Sequence, residues 1–153
     1  MEAKGKERDI IMKMEILERF IGQLYKTYAK KFSRDSQFWM QLSKEEEEHA
    51  NCIKELNMEV VHGNLSFDEK RFKLKAIQTT IQYIQKKIKQ SIDSQITEQG
   101  AYITAWDIEN GLLEKNFFKT FKTDQHSVKG VLNKLIHDTE EHRNRIQNRR
   151  DNQ

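Results

Sequence analysis

The chain has 153 residues, the length of one domain with a substantial core. It contains no proline, 6 glycines and 33% charged residues, a composition that argues against a sheet and for long helices. Its 27 basic and 24 acidic residues leave a formal charge of +3 that is mixed along the sequence; this favours solvation and gives no support to a nucleic-acid partner. A single Cys52 excludes an intramolecular disulfide and sets a reduced cytoplasmic location as the expectation. No apolar run reaches membrane-span length, and Met1 to Arg8 lacks a signal pattern.

In chain order, a polar stretch over residues 1 to 7 precedes a first helix over about 8–32. Ile11, Met14, Glu18, Ile21, Tyr25, Tyr28 and Phe32 form its stripe. Glu18 interrupts an apolar face. Ser33-Arg34-Asp35-Ser36 supplies turn and cap oxygens, and a second helix follows over about 37–61. The short connection makes the first two helices an antiparallel hairpin. His62-Gly63-Asn64 stops the second helix, Gly63 suiting a left-handed cap. Ser66-Phe67-Asp68-Glu69 has the form of a capping box and predicts a third helix over about 67–90. A break at Ser91 to Thr97, with Thr97 as the cap, starts a fourth helix over about 98–121, and turn residues Thr123 to Ser127 precede a fifth over about 128–149. The basic residues Arg143, Arg145, Arg149 and Arg150 suit the C-terminal end of that last helix.

The chemistry concentrates in Glu46-x-x-His49. Residues three apart on a helix leave the same face, and here that face also carries Phe38, Leu42, Ile53, Leu56 and Val60. A carboxylate and an imidazole aimed into a core need a partner, and a metal cation is one answer. If the phase is shifted by one residue, the run Glu45 to Glu48 is instead a solvated face. The fourth helix repeats the anomaly with Glu109 among Tyr102, Ala105, Leu112 and Phe117, and the fifth carries Thr139 and His142 among Val128, Leu132, Leu135 and Ile146. The two halves share one plan: Leu42, His49 and Ile53 stand where Leu135, His142 and Ile146 stand. One hairpin used twice, with the segment from about 66 to 90 as crossover, brings Glu18, Glu46, His49, Glu109 and His142 to one level.

These residues resemble the ferritin-like superfamily of carboxylate-bridged di-iron proteins, and within it the rubrerythrin-like group. The resemblance runs from about Arg8 to Arg149. It implies an all-α, ferritin-like four-helix bundle of two antiparallel hairpins joined by a long helical crossover. It also implies an oxidoreductase that acts on peroxide or oxygen while oxidising ferrous iron. Glu18 and Glu109 would be terminal or bridging carboxylates, Glu46 a bridge between metals, and His49 and His142 one imidazole for each metal. Tyr25 would be a hydrogen-bond or redox neighbour, or simply a core aromatic. The expected cofactor is iron, two per chain for an intact site, with zinc or manganese as alternatives.

The chain departs from the pattern at Thr139, where the family has a second bridging Glu. Losing that carboxylate removes an oxygen and a negative charge, so the centre is an altered di-metal site, a single-metal site or a relic. Asp138, Thr139 itself and Glu45 are the substitutes within reach. One cysteine cannot build the rubredoxin-like iron centre of typical rubrerythrins, so the electron donor would be a separate molecule. Haem is not expected, because Glu47 stands where the haem-binding members have Met. His62, His126 and His137 fall off the inward lines and read as surface residues. The remaining expectations are a homodimer, no membrane and no nucleic acid.

Overall fold

The computed structural model describes residues 2–67 and 74–152, with side chains from residue 5 onward. Among the described residues the chain is all-α apart from one pair of two-residue strands. Helix α1 spans Glu2–Lys31, α2 Ser36–Val61, α3 Leu74–Asp93, α4 Glu98–Glu114 and α5 His126–Asp151. The first helix thus begins earlier than the expected position 8. Phe32 and a 3-10 turn over Ser33–Asp35 join α1 to α2, which pack along their lengths. The expected cap oxygens are not used there: Asp35 occupies the cap position of α2 without a side-chain capping bond. Its carboxylate instead accepts from the Tyr102 hydroxyl and pairs with Arg149.

Helix α2 ends as expected, with Gly63 in the left-handed region at φ 79°. The helix start expected at residue 67 is not found. Ser66 and Phe67 form strand β1, which pairs antiparallel with β2, Phe121–Lys122; Asp68 and Glu69 of the supposed capping box lie outside the described residues. The Phe67 and Phe121 rings meet at 4.4 Å, and the Thr123 hydroxyl donates to Asn64 O at 2.5 Å. Aromatic burial and backbone pairing together outweigh a local capping signal, and they tie the α2–α3 connection to the α4–α5 connection. The fourth helix is also shorter than the expected 98–121. Asn116 adopts φ 54°, which ends the helical path, and a 3-10 turn over Phe117–Thr120 leads into β2.

The break between α3 and α4 comes after Asp93 rather than Gln90, and it is secured from two sides. The Thr97 hydroxyl accepts from Gly100 N at 3.0 Å, the expected N-cap. Lys31 Nζ donates to Ser91 O and Ser94 O at 2.6 and 2.7 Å, satisfying carbonyls at the end of α3. Helix α3 lies against α1, and α4 packs against α5. The core runs continuously through all five helices, with Ile11, Ile21, Trp39, Leu42, Ile53, Ile77, Ala105 and Ile146 closed to solvent. Among the described residues, no helix is long and apolar enough to cross a membrane.

Candidate metal centre

Four helices deliver polar groups to the middle of this core. Glu18 and Tyr25 come from α1, Glu46 and His49 from α2, Glu109 from α4, and His142 from α5. All six are buried. Each stands on an otherwise apolar stripe, so packing of the stripe carries the polar group inward. Close approach of α1 and α2 helps. At Gly22, a Cβ would meet Ser43 O at 3.3 Å and Glu46 Cβ at 3.4 Å, and the Ser43 hydroxyl donates to Gly22 O at 2.7 Å. The absence of a side chain at Gly22 lets the stem of Glu46 lie against α1.

Glu46 is the hub. Its Oε1 accepts from His142 Nδ1 at 2.8 Å, and its Oε2 lies 3.5 Å from His49 Nδ1. The two imidazoles stack with centroids 5.1 Å apart and planes inclined by 22°. Glu109 Oε1 accepts from the Tyr25 hydroxyl at 2.8 Å and stands 3.5 Å from His142 Nδ1. The Glu18 carboxyl faces that of Glu46. One ligand atom each from Glu46, His49 and His142 falls within 4.8 Å of the others, so this cluster can hold a metal ion.

No known protein family, characterised protein or solved structure matches the chain. The chemistry of the centre therefore rests on its own side chains.

Their protonation follows from burial. Taking an ion out of water costs several kcal/mol, about the scale of a domain's entire stability, so these groups share charge rather than all ionising. Burial, reinforced by the Glu46 charge, pushes Glu18 well above the ordinary carboxyl range and Glu109 to about 7. Burial also presses Glu46 upward, but the Glu18 carboxyl and the His142 and His49 imidazoles facing it outweigh this and hold Glu46 well below its usual value. For His142 burial disfavours the cation, yet Glu109 and Glu46 overcome this and raise it to about 11. His49 moves up for the same reason, through Glu46 and Asp138. Without a metal the arrangement favours an ionised Glu46 beside a protonated His142, with the proton favoured on Glu18.

Within the centre, four buried atoms lack a hydrogen bond: Glu18 Oε2, Glu46 Oε2, Glu109 Oε2 and His142 Nε2. Unmade bonds on three carboxylates at one spot are costly, and a cation would meet them. Oxygen and imidazole donors suit iron, zinc or manganese. The residues present thus fit a metal, with Glu46, His49 and His142 as the groups able to hold it and the Glu18 and Glu109 carboxyls beside them.

The three candidate substitutes have different fates. Thr139 is buried, but its hydroxyl donates to Leu135 O at 2.7 Å and is turned onto its own helix. Asp138 sits behind His49, with Oδ2 3.1 Å from Nε2 and 2.6 Å from Lys134 Nζ. Glu45 sits behind His142, with Oε1 3.6 Å from Nε2, and accepts twice from Arg145. Each imidazole therefore points Nδ1 at Glu46 and Nε2 toward a partly buried carboxylate held by a basic side chain. The sequence reading missed the clamps Lys134 and Arg145; Lys134 to Asp138 at i, i+4 was the available signal. Cys52, one turn beyond His49, is half-buried and burial pushes its thiol up. His62, His126 and His137 are exposed.

Proposed function

We propose that the chain is a ferritin-like bundle of the rubrerythrin-like kind, binding two iron ions between Glu18, Glu46, His49, Glu109 and His142 and acting as an oxidoreductase on peroxide or oxygen. The observation that carries this reading is the convergence of three buried carboxylates and two imidazoles from four helices, with an unbonded oxygen left on every carboxylate. Iron bound there would supply electrons to peroxide or oxygen, and a separate donor would restore them. The protein's own part is to exclude water, to fix His49 through Asp138 and His142 through Glu46, and to take up or release protons at Glu18 and Glu109 as the charge on the centre changes. Thr139, lacking a carboxylate, leaves one side of the centre weaker than the other.

A second reading, a bundle that binds metal without turnover or keeps only the fold, is favoured by one contact. The 2.8 Å bond pairs Glu46 Oε1 with His142 Nδ1 and balances their charges with no cation. Anaerobic loading with ferrous iron followed by peroxide separates the two. Peroxide consumption that scales with bound iron and disappears in Glu46→Ala supports the oxidoreductase. Iron retention with no peroxide consumption leaves the metal-binding bundle.

A further inference from the structure

Away from the carboxylates, an unbroken file of aromatic rings leads out of the centre. Tyr25, bonded to Glu109, has its ring centroid 5.7 Å from that of Trp39. Trp39 stacks on Tyr102 at 5.0 Å, with planes only 22° apart. The Tyr102 hydroxyl donates to Asp35 Oδ2, and Arg149, half-exposed, holds Asp35 Oδ1 at 3.3 Å. Tyr25, Trp39 and Tyr102 are fully closed to solvent. The file ends where the α1–α2 turn, the first turns of α4 and the last turns of α5 meet.

Tyrosine and tryptophan are the two side chains whose rings most readily give up one electron, and rings in van der Waals contact exchange electrons far faster than rings held apart. A phenol must also lose its proton when oxidised, so it is a usable donor only beside a base. Tyr102 has one, in the carboxylate of Asp35. Tyr28 does not. Its ring is as close to Trp39, at 4.9 Å, but it meets Trp39 edge-on at 65°, and its hydroxyl neighbours are Thr104 and Ser91.

We propose that Trp39 and Tyr102 form an electron relay between the buried carboxylate centre and the outer end of the bundle, with Asp35 as its proton acceptor. Trp39 loses one electron toward the centre when a peroxide-class oxidant has acted there. Tyr102 returns an electron to Trp39, and its phenol proton passes to Asp35 Oδ2, leaving a neutral phenoxyl radical. An external one-electron donor reduces the phenoxyl, and Asp35 gives the proton back. Each cycle moves one electron inward and leaves every side chain as it began. Arg149 positions the Asp35 carboxylate. The relay deepens the proposed oxidant chemistry and rests on that reading only for the source of the oxidising equivalent.

The relay can be tested with no metal in the protein, so its failure is distinct from failure of the proposed function. The chain has 2 tryptophans, and Trp106→Phe leaves Trp39 alone. A laser pulse at a wavelength absorbed by indole, with ejected electrons scavenged, then places the oxidising equivalent on Trp39 directly. Transient absorption should show the indole radical decaying as a phenoxyl radical grows. Tyr102→Phe should slow that growth at least about tenfold. Asp35→Asn, which keeps a hydrogen-bonding group but no base, should slow it comparably while thermal melting shows the fold retained. Tyr28→Phe should leave the rate unchanged. Phenoxyl growth that survives Tyr102→Phe at the original rate, or that is lost in Tyr28→Phe, overturns the relay.

Discussion

Glu46 and His142 lie on different helices, ninety-six positions apart in sequence, and meet through a 2.8 Å hydrogen bond in an interior that excludes water from both. A buried pair of this kind stabilises little in net terms, but breaking it is costly because the surviving group is left charged and unpaired. In metal-free protein, His142→Ala should lower the unfolding free energy by about 3–5 kcal/mol, measured by urea denaturation. A loss below about 1 kcal/mol, the level of an ordinary exposed ion pair, would show that the contact is not maintained in solution.

The same pair sets a pH dependence. His142 is raised from 6.5 to about 11 and Glu109 from 4.5 to about 7, so the folded state binds more protons than the unfolded state between those limits. Stability from Glu109 is fully present below pH 4.5 and lost by about 7; stability from His142 is fully present below 6.5 and lost progressively toward 11. Glu46 acts in the opposite sense, but only in acid, below its ordinary value of 4.5. The melting temperature of metal-free protein should therefore fall steadily as pH rises from 6.5 to 9. A flat or rising profile over that range would contradict the assigned charges.

Metal binding requires neutral imidazoles and ionised carboxylates, so it must expel the protons held by His142, Glu18 and Glu109. Titration calorimetry in buffers of different ionisation enthalpy should report net proton release, with affinity rising with pH. Binding without proton release would place the ion elsewhere.

The outer carboxylates give a separate test. Asp138 fixes His49 through Nε2, so Asp138→Ala should weaken metal binding by about 10–100-fold while leaving the number of ions bound unchanged. An unaltered affinity would mean that packing alone orients His49.

Thr139 offers the reverse experiment. Its side chain borders a cavity of about 110 Å³ lined also by Leu112, Phe117, Ile136 and Arg143, which leaves room for a longer group. Thr139→Glu should tighten metal binding and lower the stability of metal-free protein, because the added carboxylate is buried and needs the cation. Weaker binding would show that the new side chain turns into the cavity rather than toward His142.

The helices and the polar groups inside them were legible because one polar residue on an apolar stripe is visible within a single helix, as at Glu18, Glu46, Glu109 and His142. What sequence did not reveal lies between distant elements. Asp35 reads locally as a cap, yet Tyr102 and Arg149 take its carboxylate. Arg145 reads as a favourable charge near a helix end, yet it clamps Glu45. Ser66 reads as the start of a helix, yet the aromatic contact of Phe67 with Phe121 draws the segment into a strand pair. For Asp35 and Ser66 a contact across the fold replaced a local capping preference of about 1 kcal/mol.

Metal content is the most direct measure of the central claim that five buried groups share a cation. The wild-type protein and Glu46→Ala should be loaded anaerobically with ferrous iron, desalted and analysed by elemental mass spectrometry. The account predicts about two irons per wild-type chain and a large loss in the variant. Wild-type protein that retains no iron, or a variant that retains as much as wild type, would contradict it.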